Sequence, residues 1–576
     1  MKGSNAFLIP CILAWVLWLA FSLFFGFDRL YGDAAFYLFD VINDLRFSIA
    51  HHRPAGYLIE FIPLWLAKNN APMEQIILWF SLNESLVLIS FSMVAGVLMK
   101  DFRLSLAVML PFFLGDRYNY FNPVSELLLA TPVFILIFGC LYLKGDKLWV
   151  QLLFLPITVF VVYSHPLYYI LLPLSYGLIF LLKKVPTKWN IVHAFFIVGT
   201  ILLRYFTINE YDLMQFEADY KTGFSEILNH FSNNTESLKL LMVFAGLLIV
   251  VVLSLTILFK RENKIIGLYA STVFFALIGL VIYKYSHLFP DTMEPFERYL
   301  FPASIFVSLL FYVSSFHPFK YWPSILTVII VYQAIHLFNY GKKVQSRNYQ
   351  LASLIEYGQQ HHYSKVIVKY FNFNPTRLGH DWIMTSESLL LSKMIGNKKN
   401  VQVAVYESYD AELLKSMKED QFIYFPWWSI NTNTMNPEYF NMYPQALTNV
   451  NANTDSFDLT SIDSSLFEVK LESEEFSADE KNRKEKLMLM NKSAQTIFSG
   501  LETDAIQIEY KWVRKGVEMK LGGKVALLAD LKPGTLKQLI IVDTPKEAGT
   551  YDLAFYFVFN EKERKSFYTL KDICVN

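Results

Sequence analysis

The sequence predicts a polytopic, mainly α-helical membrane protein of about eleven spans. A C-terminal extracytoplasmic domain of mixed α/β or β-sandwich type follows. Three observations predict this. Of the 576 residues, 54% are hydrophobic and only 18% are charged, and the mean hydropathy is positive, whereas a soluble chain of this size carries more charge. Apolar runs of nearly bilayer-crossing length recur through the first 340 residues. After Tyr340 the chain turns polar, with short alternating runs.

Candidate spans are 6–26, 75–99, 104–115, 126–143, 148–163, 167–182, 190–206, 238–259, 265–283, 299–316 and 323–340. Several fall below the ~20 residues that a helix needs to cross. The first follows Lys2 and has the outline of a signal peptide. It lacks a small-x-small cleavage site and more spans follow, so it is expected to stay as the first helix. "PAGYLIEFIPLWLAK" (54–68) is short, starts at a proline and contains Glu60.

Loop charge decides its status. With the N-terminus inside and 54–68 not spanning, the inside loops are "KDFR" (100–103), "KGDK" (144–147), "KKVPTK" (183–188), "KREN" (260–263) and "HPFKYW" (317–322). These are the Lys- and Arg-rich short loops, as the positive-inside rule requires. Segment 54–68 is therefore expected to dip into the outer interface, and the C-terminus lies outside.

The outer loops are then 27–74, 116–125, 164–166, 207–237 and 284–298. Residues 341–576 form the outer domain. Its strand-like runs are "KVIVKYF" (365–371), "VQVAVY" (401–406), "KQLIIVDT" (537–544) and "YDLAFYFVF" (551–559), with a helix at "SESLLLSKMI" (386–395). The stretch 450–485, rich in Ser, Asn, Asp and Glu, reads as a loose loop or linker. Zero net charge gives no field to attract nucleic acid. Cys11, Cys140 and Cys574 are far apart and suggest neither a disulfide framework nor a zinc site.

Polar residues concentrate on the outer side. The first loop, "LYGDAAFYLFDVINDLRFSIAHHRPAGYL" (30–58), holds Asp33, Asp40 and Asp44 at helical spacing on one face, then His51, His52 and Arg53. The plain reading is that Asp33 caps this helix and the other two form its wet side. The second loop, "GDRYNYFNPVSE", brings Asp116, Arg117 and Glu126 to the same side. An ionisable group near the bilayer is costly unless it faces a polar cavity, although an acid also suits a helix N-terminus. His165 lies in "YSHPLYY", and Arg298 in "HLFPDTMEPFERYLFP".

The order "YGDAAFY … HHRPAGYL … KDFRLSLAVMLPFF … YNYFNPVSELLLA" resembles the first half of membrane glycosyltransferases of the GT-C fold. It is most similar to the bacterial protein-mannosyltransferase and aminoarabinose-transferase type, families 39 and 83. "ERYLFP" (297–302) is similar to that group's late R-Y-L-L-P signature. The resemblance covers roughly 6–180 plus the late signature, through short motifs. There are two departures. Ala34 stands where an acid usually follows the first Asp, and "RPAGY" replaces P-P-L-Y.

By position, the resemblance implies that Asp33 is the catalytic first-loop aspartate and Glu126 the second-loop acid. It implies a polyprenyl-phosphate-linked sugar as donor, and a glycan, lipid or protein as acceptor. The enzyme would sit in the inner membrane of a bacterial envelope, with its outer domain periplasmic. Asp33 would take the acceptor proton and Glu126 would orient the acceptor. Arg298 is the first choice to bind the leaving phosphate, with His165 and Arg53 behind it. Tyr37, Asp40, Asp116 and Tyr299 would line the acceptor side. A single displacement inverts the anomeric carbon. Alternatives are snorkelling for Arg298 and helix capping for His165.

No Gly-rich phosphate loop, HExxH or Cys/His cluster occurs, so no cofactor is predicted and a divalent metal is not indicated. His51–His52 and His361–His362 read as coincidental pairs, and "PWW" (426–428) as domain core. The rival classes are a polytopic transporter or flippase of envelope glycolipids, and an inactive scaffold of the same fold. A transporter tends to show related halves and mid-membrane charges.

Overall fold

The computed structural model describes residues 4–49, 53–115, 118–207, 235–262, 264–287 and 294–368. In the C-terminal part it describes 383–395, 399–405, 413, 416–425, 428–442, 444–446, 448–449, 467–471, 484–491, 507–515, 517–526, 536–543, 545, 549–559 and 563–575. Within helices, 235–245, 280–287, 294–299, 343, 346 and 350 are described by backbone alone. The expectations for most of loop 207–237, for the tip of 284–298 and for most of 450–485 lie outside the described residues.

The N-terminal part is helical, and each apolar run of the sequence is a helix. In order these are α1 Leu8–Phe24, α2 Asp33–Asp44, α3 Tyr57–Lys68, α4 Met73–Met93, α5 Phe102–Leu114, α6 Glu126–Lys144, α7 Leu148–Ser164, α8 Tyr168–Leu181, α9 Thr187–Phe206, α10 Thr235–Arg261, α11 Lys264–His287, α12 Glu294–Ser314 and α13 Trp322–Gln360. Among the described residues, five helices are long and apolar enough to cross a membrane, at Asn5–Phe24, Met73–Leu98, Glu126–Lys144, Thr187–Phe206 and Trp322–Gln360. Shorter apolar helices run at Phe102–Leu114, Leu148–Ser164, Tyr168–Leu181, Lys264–Gly279 and Leu300–Ser314.

The basic loops gather at one end of these helices. Ser4 donates to Asp101 at 3.2 Å, and Tyr312 donates to the other oxygen of the same carboxylate at 3.2 Å. Arg103 pairs with Asp101 at 2.9 Å and lies 3.6 Å over the Phe316 ring. His317 meets Glu262 at 2.7 Å, and the Lys184 ammonium sits 4.2 Å over the ring of Tyr142. Loops 100–103, 183–188, 260–263 and 317–322 are thus tied to one another or to neighbouring helix ends. Their sequence similarity in charge has a spatial counterpart.

Helix α3 differs from its neighbours. Twelve residues rise only about 18 Å, too little for a bilayer core. Pro63 cannot donate to the Ile59 carbonyl four residues back, and Asn83 of α4 replaces that donor at 2.8 Å while also reaching Leu58 O at 2.9 Å. One face buries Ile59, Glu60, Pro63, Leu64 and Ala67. The other leaves Tyr57, Phe61 and Trp65 at 49%, 63% and 60% exposure, one turn apart. An aromatic row of this kind suits the lipid headgroup boundary. Shallowly brominated lipids should therefore quench wild-type tryptophan fluorescence more than that of Trp65→Phe. Equal quenching of the two would place α3 elsewhere.

The chain divides into two units. The first is Met1–Gln345 together with Asn436–Tyr439, and the second is Ser346–Met435 with Phe440–Asn576. In the second unit, β1 (Lys365–Val368) lies between β2 (Gln402–Val405) and β5 (Thr448–Asn449) in a parallel sheet, with Lys365 opposite Gln402. Helix α14 (Met384–Ile395) connects β1 to β2 in the chain, as a parallel pair requires. A buried bidentate pair, Arg347 to Glu387 at 2.7 and 2.8 Å, fastens α14 to α13.

The hairpin β3 (Gln421–Phe425) and β4 (Trp428–Asn431) follows. Two antiparallel sheets complete the unit. The first has order β10-β7-β6, from Leu536–Asp543, Lys484–Asn491 and Phe467–Leu471. The second has order β12-β11-β8-β9, from Glu563–Val575, Gly549–Phe559, Gln507–Arg514 and Val517–Ala526. The expected core position of "PWW" fails at Trp428. The residue is 53% exposed and its ring meets Tyr424 edge-on at 5.4 Å, on an edge strand of a two-stranded hairpin. Pro426 and Trp427 lie outside the described residues.

Candidate functional site

The first outer loop is built on α2, which does not begin as expected. Asp33 is not the cap but the first helical residue. The cap position belongs to Gly32, at φ 66°, a region that side chains rarely adopt. Glycine has no side chain to offer, so the Ala34 amide goes to Asn122 Oδ1 of the second outer loop at 3.0 Å. Asp33 is left in the first turn, where the helix dipole favours its charge. Two turns on, Asp40 accepts a hydrogen bond from the Ser48 hydroxyl at 3.1 Å. Asp44 separates from them: it is exposed and paired with exposed Arg46 at 2.8 Å. Tyr37 is half-buried, with its ring edge-on to Phe36.

A second tie joins the same two loops. Arg53, immediately before the Pro54–Gly56 turn, reaches Glu126 Oε2 at 3.1 Å, and both side chains are mostly buried. Glu126 is the first residue of α6. Between these groups stands Glu60, a residue that carries no motif. It is 3% exposed and accepts the Ser48 amide at 2.7 Å. Burial, reinforced by the nearby charges of Asp40 and Glu126, pushes its carboxyl up to about 8, against the pull of the Ser48 amide.

The sign of the pH effect follows from that direction. In the unfolded chain Glu60 loses its proton near 4.5, whereas in the folded protein it keeps it to about 8. Its share of stability is therefore fully present below 4.5 and is lost as pH rises through 8. The loss amounts to several kcal/mol, because each tenfold gain in proton affinity on folding is worth roughly 1.4 kcal/mol. Glu60→Gln mimics the protonated form and still accepts the Ser48 amide. It should flatten the pH dependence of the unfolding midpoint between about pH 5 and 8.5, the window over which the folded carboxyl holds a proton that the unfolded one has lost. An unchanged slope would assign the pH effect to another group.

His165 ends α7. Its Nδ1 accepts the Leu167 amide at 3.2 Å, which leaves Nε2 to carry the ring hydrogen. Beside it, the Tyr168 hydroxyl donates to Leu127 O at 3.2 Å and lies 3.0 Å from Thr131 of α6. His165 thus bonds the residue before the next helix, Tyr168–Leu181, and does not bond an amide inside it. Arg298 and Tyr299 fall on the backbone of α12, and their side chains lie outside the described residues. Asp116, Arg117, His51 and His52 lie outside them altogether.

The structure thus brings together Asp40, Arg53, Glu60 and Glu126, and ties the start of α2 to Asn122. Two of these, Asn122 and Glu60, left a trace in the sequence. A glycine at a helix start calls for an external acceptor, and an acid inside a short apolar helix calls for neighbours. Among the described residues no group of three or more His, Cys, Asp or Glu is arranged to hold a metal ion. Comparison with protein-family models, with curated proteins and with solved structures finds no match.

Proposed function

We propose that the chain is an integral-membrane glycosyltransferase of GT-C-like architecture. Residues 1–340 form its helical domain of about eleven spans in the bacterial inner membrane, and residues 341–576 lie on the periplasmic side. It transfers a sugar from a polyprenyl-phosphate donor to a glycan, lipid or protein acceptor. The acceptor oxygen attacks the anomeric carbon from the face opposite the phosphate. The carbon–oxygen bond to phosphate breaks, the acceptor proton passes to Asp33, and the polyprenyl phosphate leaves with the bonding pair. The configuration inverts.

One observation carries this reading. The first and second outer loops are joined twice, by Asn122 on the Ala34 amide and by Arg53 on Glu126. The acid-bearing starts of α2 and α6 therefore belong to one linked structure at the end away from the basic loops. Arg53, held by Glu126, is a cation of that structure, and it joins Arg298 as a partner for the departing phosphate. A protonated Glu60 beside Asp40 can donate to a sugar hydroxyl. The site acids stand at or near helix ends, whereas transporters coordinate coupling ions near the bilayer midplane.

The test is transfer itself. Membranes holding the protein are incubated with labelled polyprenyl-phosphate sugars and envelope extract, and label is followed into acceptor. Transfer by wild type that vanishes in Asp33→Asn supports the reading. No transfer by wild type, with lipid-linked sugar moved across proteoliposome membranes instead, would replace it with the flippase alternative.

A further inference from the structure

Residues 436–439, "NPEY", belong to the first unit although their neighbours on both sides in the chain belong to the second. This four-residue strap supplies a donor that the end of α2 lacks, and adds one at the end of α3, where Ala67 O already accepts the Asn70 amide at 3.1 Å. The last four carbonyls of a helix have no intrahelical donor. Asn436 Nδ2 donates to one of them in α2, Ile42 O, at 2.9 Å, and its backbone amide donates to Asn43 Oδ1 at 2.9 Å. The Tyr439 hydroxyl, on a buried ring, lies 3.2 Å from Ala67 O in the last turn of α3 and 3.0 Å from Ala71 O just beyond it.

The strap is itself folded for the task. Asn436 Oδ1 accepts the Glu438 amide at 3.2 Å, and Asn436 O accepts the Tyr439 amide at 3.2 Å. Both atoms of the Asn436 side-chain amide are therefore used, in an Asx turn around Pro437. Its neighbours in the chain are bonded within the second unit. Asn431 upstream bonds Asp420 at 2.9 Å, and Asn441 downstream exchanges bonds with Asn400 at 2.8 and 3.0 Å, ahead of β2.

We propose that Asn436 and Tyr439 are positioning residues that fasten the C-terminal ends of α2 and α3, and so set the acids those helices carry. Asn122 holds α2 at its start, and the strap holds it at its finish, about 18 Å away along twelve residues. With one end released, α2 can pivot on the other, and Asp40 shifts relative to Glu60 and Glu126. Misplacement of a reacting group by ~1 Å is enough to cost about 100-fold in rate. The activity part of the proposal rests on the transferase reading, and the fastening part does not.

The experiment uses the full chain in lipid nanodiscs, with Asn436→Ala, Tyr439→Phe and the double variant. Hydrogen exchange is followed in peptides 40–48 and 64–72, beside kcat and KM for transfer. The double variant should exchange about five- to tenfold faster in those two peptides, as loss of hydrogen bonds worth roughly 1 kcal/mol each implies. Peptides of α5 and α6 should be unchanged. The same variant should lose about tenfold in kcat with KM for the donor unchanged. Tyr439→Phe deletes a single oxygen and keeps the test open if Asn436→Ala does not assemble. Unchanged exchange overturns the proposal. Faster exchange with wild-type kcat overturns the positioning role. Faster exchange in a protein whose wild type transfers nothing upholds the fastening and removes the transferase reading instead.

Discussion

Asp33→Asn should reduce transfer by at least 100-fold while leaving the protein in the membrane with a nearly unchanged unfolding midpoint. The two halves of this expectation come from different properties of one carboxylate. As the base of the proposed transfer, it would contribute the 10²–10⁴-fold typical of positioned proton transfer, and an amide cannot take the proton. As a helix residue, it sits in the first turn of α2, where a negative charge is worth about 0.3–1 kcal/mol. The amide gives up only that. The Ala34 amide keeps its partner Asn122, so the helix start survives. Steady-state transfer and thermal unfolding on the same preparation check both halves. A matched fall of activity and midpoint would mean that Asp33 serves the fold. A fall confined to KM would point to donor binding rather than proton transfer.

The apolar runs and the basic loops were readable one residue at a time because they are local signals. A span needs only its own length of apolar residues, and a basic loop needs only Lys and Arg between two spans. Hence "KVIVKYF" yields a strand at Lys365–Val368 and "SESLLLSKMI" a helix from Met384. The candidate site is different in kind. Asn122 reaches Ala34 across 88 residues of chain, Arg53 reaches Glu126 across 73, and Asn436 reaches Ile42 across 394. Each is a single polar atom finding a single partner, and no periodicity announces it. Glu60 shows the same limit. Its sequence context reads as an apolar interfacial helix, and only the approach of Asp40, Ser48 and Glu126 gives it a chemical character. Trp428 fails in the opposite direction, since hydrophobicity alone cannot tell a buried strand from the outer strand of a hairpin.

Arg29→Met should be the most destabilising single change in the helical unit, by about 3–5 kcal/mol, the usual result of stripping one member from a buried ion pair. Arg29 leaves the end of α1 and turns inward, fully buried. Its Nη2 meets Glu84 of α4 at 2.8 Å, and Nε donates to Tyr120 O at 2.7 Å. Nη1 is within reach of Ser81 O at 2.5 Å, Ser22 Oγ at 3.0 Å and Ser85 Oγ at 3.2 Å. The guanidinium also lies 4.2 Å over the Tyr120 ring. One side chain thus joins α1, α4 and the one-turn helix Tyr118–Phe121, which leads directly to Asn122.

Methionine fills much of the same volume but leaves the Glu84 carboxylate in an apolar bundle with, among the described residues, Trp18 and Ser85 as its remaining hydrogen-bond partners, at 3.5 and 3.1 Å. Removing the stranded charge as well should restore stability. Arg29→Met with Glu84→Leu is expected to recover at least half of the loss, because a hydrophobic replacement of a whole buried pair is often close to neutral. Unfolding of the two single variants and the double variant in micelles gives the coupling directly. Additive losses with no recovery would show that Arg29 acts through its carbonyl and hydroxyl partners, and that Glu84 is held independently.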